Sequence, residues 1–568
     1  MDSRRLTGPN LLWDRPGAVI DAAVRDEDAD RVQSSWSRAA RRMLDAVGWS
    51  AESTCSRHFP GGLSVAISAP IDALYAATEI NEWAWSTAQA ELAGEPLPDF
   101  STQATRLREL IAEESNPAVI VLAAAARERG ILFLADDETV SVGAGDGSIS
   151  WPRSSVPSPD AVDWSAVHNR PIALITGCNG KTTTTRLVTA IIQSAGKGAG
   201  MTSTDGIQIG GTVVEAGDYA GPGGARKLLR DKRVEVAVLE TARGGILRRG
   251  LAVSRADVAI VTNIADDHLG EFGVCDLATL TATKLVVSRV LGPSGRLVLN
   301  ADDASLIEGS RTVHSPIVWF SLDSANPVVQ DHLAHGGVAV VLDGSTIEVR
   351  EGERRTVIER VASVPVTVGG KARHNVANAL GAVAVAWSLG VPVEAIAAGL
   401  RQFQGTSLDN PGRLNRFTLG GVEVIVDFAH NPHGLSALVE IGGALPARRR
   451  LVLLGQAGDR DDAAIRALAR VAWTIRPDHV IAKEMAAYTR GRAVGEIPGL
   501  IADEILRLGA SPQSVSQAPS ELDGVHQALQ WSRPGDLLLL TVHGQRGEVL
   551  DLLEHLRESG WSPGHSTR

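Results

Sequence analysis

Three cysteines in 568 residues, Cys55, Cys178 and Cys275, are too few and too scattered for a disulfide framework or a cysteine-based metal site. No apolar run reaches the roughly 20 residues a bilayer crossing needs. The longest, from Leu380 to about Val393, is interrupted by Ser388 and Gly390, stops at Pro392 and Glu394, and reads as a buried helix. An apolar secretory signal is also absent at the N-terminus, and together these absences predict a cytoplasmic chain with no membrane partner. Basic charge is in deficit: 55 Lys and Arg against 66 Asp and Glu give −11, which argues against nucleic acid as a partner while leaving room for local phosphate sites. Lysine itself is scarce, with seven in all, at 181, 197, 227, 232, 284, 371 and 483. Low-complexity sequence is missing too. What remains, 44% hydrophobic and 21% charged residues, is a soluble globular composition long enough for about three or four domains.

The chain changes character along its length. Residues 1 to about 165 mix helical and strand-like segments and end in a Ser/Pro-rich stretch, SSVPSPD (154–160), that reads as a linker. From Pro171 onward short apolar strands (IALIT, VEVAVLE, DVAIVTNI, GRLVLN) alternate with helical segments, the pattern of a mostly parallel sheet covered by helices. A β-rich stretch around 312–366 precedes helices at about 374–389 and 393–403, and NPGR (410–413) marks a turn. Beyond it VEVIVDF, RRLVLLG, DHVIAKE and GDLLLLTV again alternate with helices. The expectation is an α/β, multidomain chain: an N-terminal α+β domain over 1–165, a P-loop-type central sheet over 166–410 and a Rossmann-like α/β domain over 411–568.

Strand IALIT runs into Gly177-Cys178-Asn179-Gly180-Lys181-Thr182-Thr183 and then into a helical pattern. Glycines let several backbone N–H groups and a helix N-terminus converge on one anion, lysine adds a point charge, and the threonine hydroxyl can ligate Mg²⁺. The site suits a nucleoside triphosphate, although the general pattern asks for one more glycine where this chain has Ile175. Glu240 closes the strand VEVAVLE, Asn263 follows DVAIVT, and His268 comes five residues later. A lone strand-terminal glutamate is ordinarily a solvated cap, and a lone histidine ordinarily satisfies a local hydrogen bond. Placed after strands of one sheet beside a phosphate loop, they read instead as Mg²⁺ ligands or orienting groups. Lys284, in the helical segment LATLTATKLVVSRV, is open between a surface and a site position.

The strings TGCNGKTTT, LETARGGILRRGL, TNIADDHLG, RHNVANALGA, NPGR and DFAHNPHG, in this order, resemble the Mur ligase family over about residues 165–560. ETARGGILR, GDRDD and RGRAVGE are most similar to the Mur-ligase half of cyanophycin synthetases. The resemblance implies an ATP- and Mg²⁺-dependent carboxylate–amine ligase acting through an acyl phosphate. Carried over by motif, Lys181 and the loop amides of Gly177, Asn179, Gly180 and Thr183 hold phosphates, with Thr182, Glu240 and His268 on Mg²⁺. Lys284 matches a lysine that is carboxylated in several relatives. Asn378 is expected at the adenine, Arg413 at the phosphates, Asp427 at the ribose, and His430 with Asn431 where the domains meet. Closure of the last domain would bring Arg413 in and exclude water from the acyl phosphate.

Departures from the subfamily matter equally. Cyanophycin synthetases carry an ATP-grasp domain that is missing here: RRLTGPN (4–10), GGLSVAISAP and TEINEWAW resemble their N-terminal domain, and AAARERGILFLADDETVSVGAGDG (124–147) the opening of the ATP-grasp region. Where some relatives have a metal-binding helix, this chain shows Glu79 and Trp83 in place of histidines, so the N-terminal domain is expected to be structural or substrate-docking, with Trp83 and Trp85 in its core. One amide bond is expected, joining an amino acid such as arginine to an aspartate-like or peptide carboxylate. The readings left open are a glutamate ligase of the folylpolyglutamate type, a catalytically reduced partner subunit of a separate ATP-grasp protein, and a hydroxyl phosphotransferase, which leaves the AHNP and GDR strings unexplained. A homo-oligomer is expected, and Cys178 is expected to be a buried, inert thiol.

Overall fold

The alternation of apolar strands and helices that begins at Pro171 builds a mixed, mostly parallel sheet in the computed structural model, which describes residues 1–97, 99–267 and 269–565. The chain divides into two compact units: Met1–Asp343 with Glu348–Ile358 and Leu380–Gly399, and Gly344–Ile347 with Glu359–Ala379 and Leu400–Arg568.

The first unit opens with an antiparallel sheet in the order Asp2–Leu6, Gly17–Ala23, Gly62–Ser68, Thr54–Phe59. Helix Ala29–Ala46 carries Val32, Trp36, Ala39, Ala40, Met43 and Leu44 at three- and four-residue spacing, so one face is apolar and buries against this sheet and helix Leu74–Ala93. The second helix brings Asn81 into the core, where it accepts from Trp36 Nε1 at 2.9 Å and donates to Val65 O at 3.1 Å. Trp85 is buried, Trp83 packs on Phe100 with centroids 5.8 Å apart, and Glu79 pairs with Arg106 at the surface. Both tryptophans are therefore packing residues. The stretch 154–160 is well tied: short 3₁₀ turns at Arg153–Ser155 and Pro159–Ala161 are held by Asn116 Nδ2 donating to Arg153 O and Trp164 Nε1 donating to Pro159 O.

The large sheet of this unit runs Thr212–Ala216, Gly206–Ile209, Ala199–Ser203, Val236–Glu240, Ile172–Thr176, Ala256–Val261, Leu291–Asn300, Ile317–Ser321, Val338–Asp343, and from Ala199–Ser203 onward the neighbours are parallel. The strand Ile172–Thr176 is buried along its whole length, as its run of aliphatic residues requires. One element departs from its sequence pattern. LATLTATKLVVSRV is not a single helix: the α-helix ends at Leu285 and Val286–Val290 tightens into a 3₁₀ turn, where a run of β-branched residues lowers helix propensity.

In the second unit the order is Asn415–Leu419, Val422–Asp427, Leu537–Thr541, Arg450–Leu454, His479–Lys483, Val515–Ala518. The first pair is antiparallel and the rest parallel, with helices such as Pro432–Ala444 and Glu521–Trp531 on the two faces. No helix among the described residues is long and apolar enough to cross a membrane.

Candidate active site

Each unit carries its own cluster at the carboxyl ends of its parallel strands, where ligands of open α/β sheets bind. In the first, the loop after Ile172–Thr176 turns through Gly177 (φ 142°) and Gly180 (φ 83°), both in backbone regions that suit glycine, and enters helix Lys181–Ser194. A Cβ at Gly177 would lie 1.9 Å from Thr262 Oγ1 and 3.0 Å from Thr262 N. Gly177→Ala is therefore expected to lower nucleotide affinity by an order of magnitude or more, read by calorimetric titration with ADP, because the loop backbone must shift to admit the methyl group.

The neighbouring strand end clamps the loop. Asn263 Oδ1 accepts from Asn179 N at 2.9 Å and its Nδ2 donates to Asn179 O at 3.0 Å, while Thr262 Oγ1 donates to the same carbonyl at 2.6 Å. Asn263 thus fixes the loop with its side-chain amide, and the Asn179 N–H, expected at a phosphate, is instead engaged by it because the end of the neighbouring strand lies against the loop. Lys181 Nζ donates to Cys178 O at 3.0 Å. Thr182 Oγ1 donates to Glu240 Oε2 at 3.0 Å, and both residues are buried. Glu240 is therefore no solvated cap: the sheet order sets its strand beside Ile172–Thr176 and points it at the second residue of the helix. Lys284 is buried as well and donates to Gly177 O at 2.8 Å. Burial, followed by the nearby Lys181 and Arg243 cations, pushes its ammonium down to about 8 against the opposing pull of Cys178 and Asp267. Cys178 is 2% exposed, and its Sγ donates to Ala265 O. Thr183 lies buried in the first helical turn. His268 lies outside the described residues.

These groups fit a magnesium–triphosphate. Two glycines in permissive conformations open the loop, the N-cap residue of the helix is Gly180, which has no side chain, and a hydroxyl and a carboxylate lie side by side at that terminus. Among the described residues no group of three His, Cys, Asp or Glu could hold a metal. Magnesium does not need one, since it binds phosphates with one or two protein oxygens and keeps its waters.

In the second unit Asp427 closes strand Val422–Asp427 and accepts from Leu414 N and Ala429 N, both at 2.8 Å. Burial pushes its carboxyl up, with Arg413 and the two N–H donors opposing. The Arg413 guanidinium lies 4.1 Å over the Phe428 ring, and Phe428 meets His430 edge-on at 5.4 Å. Gln456 Nε2 donates to His430 O at 2.9 Å, and Asn431 caps helix Pro432–Ala444 by accepting from Gly434 N. Arg413, Asp427 and His430 are thus gathered at one strand end. Asn378 is elsewhere, on helix Arg373–Ser388, donating to Asn375 Oδ1 at 3.1 Å.

Beside this strand end lies a buried network that the sequence reading passes over. Lys483 Nζ donates to Glu521, to Thr541 O at 2.6 Å and to His543 Nδ1 at 3.2 Å. To reach Thr541 the lysine crosses the intervening strand Arg450–Leu454 just past its end, where Gly455 leaves space: a Cβ there would meet Lys483 Cγ and Lys483 O at 2.8 Å. His543 Nε2 faces Ala429 O at 3.2 Å, a pure acceptor, so Nε2 carries the proton and Nδ1 accepts from the lysine. Burial pushes Lys483 down to about 8 and His543 down to about 4. Burial would raise Glu521, but His543 and Lys483 outweigh it and hold its carboxyl well below the ordinary range. The one signal in the sequence is that Lys483 is among seven lysines and closes a strand.

The histidine gives a pH signature with a definite sign. Between about 4 and its ordinary 6.5 the unfolded chain binds a proton that folded His543 refuses, so this contribution to stability is present above 6.5 and is lost as pH falls toward 4. The shift corresponds to roughly 3 kcal/mol. Denaturant unfolding followed in the second unit at pH 6.5 and 4.5 is expected to show this loss in the wild type and a much smaller one in His543→Gln.

Comparison with known proteins gives the following matches. The Mur ligase middle domain matches residues 175–386, and the Mur ligase glutamate ligase domain matches residues 412–544. Cyanophycin synthetase of Crocosphaera subtropica is 43% identical over 336 residues, which is 59% of this chain and 38% of that protein. The UDP-N-acetylmuramoyl-L-alanyl-D-glutamate--2,6-diaminopimelate ligase of Gloeobacter violaceus is 29% identical over 384 residues, 66% of this chain and 72% of its own length. Among solved structures, E. coli FolC in complex with DHPP and ADP superposes with a TM-score of 0.49 at 19% identity, over 68% of this chain and 89% of that one. The chain spans well under half the length of the cyanophycin synthetases it matches.

Proposed function

From the premise that the chain belongs to the Mur ligase family, which its two matched domains establish, we propose that it is an ATP- and Mg²⁺-dependent ligase joining an amine to a carboxylate through an acyl phosphate. The observation that carries the reading is the Thr182–Glu240 oxygen pair, buried at the head of the phosphate-loop helix beside Lys181. We read the chain as an N-terminal domain to about residue 165, an ATP-binding domain over 166–410 and a C-terminal domain from 411.

A triphosphate and a carboxylate repel each other, so the site must supply positive charge to both before in-line attack. The Asn179 N–H is taken by Asn263, so the other loop amides and Lys181 would hold the phosphates; Thr182 with Glu240 would hold Mg²⁺, which when bound would neutralise charge on the transferring phosphoryl group. Asn263 keeps the loop open through its two bonds to Asn179. Lys284 fixes Gly177 O and adds a second cation. The acceptor carboxylate takes the γ-phosphoryl group as ADP leaves; the amine then attacks the acyl carbon, phosphate departs, and the amine proton passes to solvent. By the family resemblance Asp427 serves as a nucleotide-ribose acceptor, Arg413 as a phosphate contact and Asn378 at the adenine, with His430 a further lining residue. The similarity to cyanophycin synthetases supports arginine as the amine and an aspartate-like or peptide carboxylate as the acceptor.

The test is phosphate release from Mg-ATP across a matrix of amino acids and acidic acceptors, with mass detection of products. The expected result is one pair joined with loss of water. ATP binding without turnover for any pair would overturn the ligase reading in favour of a partner subunit, which addition of an ATP-grasp protein would then reveal.

A further inference from the structure

The RRLTGPN segment near the N-terminus has no place in the chemistry above, yet almost every residue of it is engaged. Helix Arg243–Arg249 begins three residues after Glu240, and its last carbonyls need partners outside the helix. The N-terminal segment supplies them. Arg4 Nε donates to Leu247 O at 3.1 Å, and Thr7 donates to Arg249 O through its backbone N–H at 2.7 Å and its hydroxyl at 3.1 Å. That hydroxyl also accepts from Arg226 Nη2 at 2.6 Å. Leu251 N donates to Pro9 O at 2.7 Å, and Arg289 Nη1 donates to Asn10 O at 2.8 Å. The two backbones lie so close that a Cβ at Gly8 would come within 2.3 Å of Leu251 O, and one at Gly250 (φ 80°) within 2.3 Å of Gly8 O.

The same N-terminal sheet holds a second element. Arg57 donates to Phe272 O at 3.0 Å and Gly273 O at 2.9 Å, and the Arg4 guanidinium lies 4.6 Å over the Phe272 ring. Arg4 is itself anchored by Asp21 on the adjacent strand at 2.5 Å. The loop so held carries Glu271, and the helix so held carries Arg243; the two side chains form an ion pair with a buried guanidinium. Both members of that pair are therefore mounted on elements tied to the N-terminal domain.

We propose that Arg4, Thr7 and Arg57 are positioning residues of the ligase site: the N-terminal domain fixes the Arg243 helix and the Glu271 loop, and thereby the mouth of the site beyond Glu240. The proposal rests on the ligase reading for its effect on turnover but not for its effect on structure. It gives the N-terminal domain a function that needs neither a metal nor a hydrolytic site.

The experiment uses the full chain with Thr7→Val, which removes both hydroxyl bonds, Thr7→Ser, which keeps them, and Arg57→Met. Hydrogen–deuterium exchange is expected to rise about fivefold or more in peptides covering 243–250 for Thr7→Val and 269–276 for Arg57→Met, leaving 177–185 and the C-terminal unit unchanged. Turnover is expected to fall by about an order of magnitude in kcat. KM for ATP and ADP affinity should stay within about twofold in both variants, since the phosphate loop is untouched, and Thr7→Ser should restore exchange and rate. Unchanged exchange in both peptides would overturn the proposal, as would a rate loss matched by equal losses in ADP affinity and melting temperature. A wild-type chain that turns over no substrate pair would refute the ligase reading instead, while the exchange data still decide the positioning role.

Discussion

Lys181→Ala is expected to lower ATP-dependent product formation by about 10²–10³-fold, the scale seen when one preorganised donor to a developing anion is removed. The ammonium sits at the first position of the phosphate-loop helix and donates to Cys178 O within its own loop, so the loss is confined to the site. The loop is shaped independently by Gly177, Gly180 and the Asn263 clamp, so the variant should fold normally, with a melting temperature within about 3 °C of wild type. Steady-state turnover beside a thermal melt checks both halves. Retained turnover would remove Lys181 from the phosphate site, and a collapsed melting temperature would make it a structural residue.

Lys483→Met carries the largest expected stability effect. The wild-type ammonium is fully buried and neutralises Glu521, which also accepts from His543 N at 2.8 Å and Gln545 N at 2.6 Å. Removing the cation leaves a carboxylate without its counter-charge in the interior, and breaking a buried pair in this way costs about 3–5 kcal/mol. Glu521 would then titrate upward, since burial is no longer outweighed. The loss should therefore be greatest at neutral pH and shrink as pH falls and the carboxyl takes up a proton. Denaturant unfolding of the second unit at pH 7.5 and 5 tests the magnitude and the sign, and Lys483→Met with Glu521→Gln should recover a large part of the loss. An undiminished deficit in the double variant would place the effect in packing and not in charge.

The strand–loop–helix turn at 177–182 was readable because its signal is local: glycines, lysine and threonine lie within six residues between an apolar strand and a helix. Glu240 was readable from its place at a strand end, since the sheet order that sets it beside the loop follows the alternation of strands and helices. The Lys483–Glu521–His543 network was not, because its members lie on separate elements, and their meeting depends on a lysine crossing the end of an intervening strand at Gly455. The same holds for Thr7 and Arg249, more than 240 residues apart in sequence. Periodicity encodes which face of an element is buried, whereas hydrogen bonds between distant elements appear only once the sheet order and loop paths are fixed. The helix around Lys284 shows a smaller failure: apolar spacing continued past Leu285, but crowded valines tightened the chain into a 3₁₀ turn.

In the proposed reaction a carboxylate oxygen of the acceptor is phosphorylated before the amine attacks. The most direct measurement uses an acceptor labelled with ¹⁸O in that carboxyl group and analyses the phosphate released during turnover by mass spectrometry. One ¹⁸O atom is expected to reach each phosphate released, with the remaining carboxyl oxygen retained in the amide product. Unlabelled phosphate accompanied by a formed amide would contradict the proposed reaction.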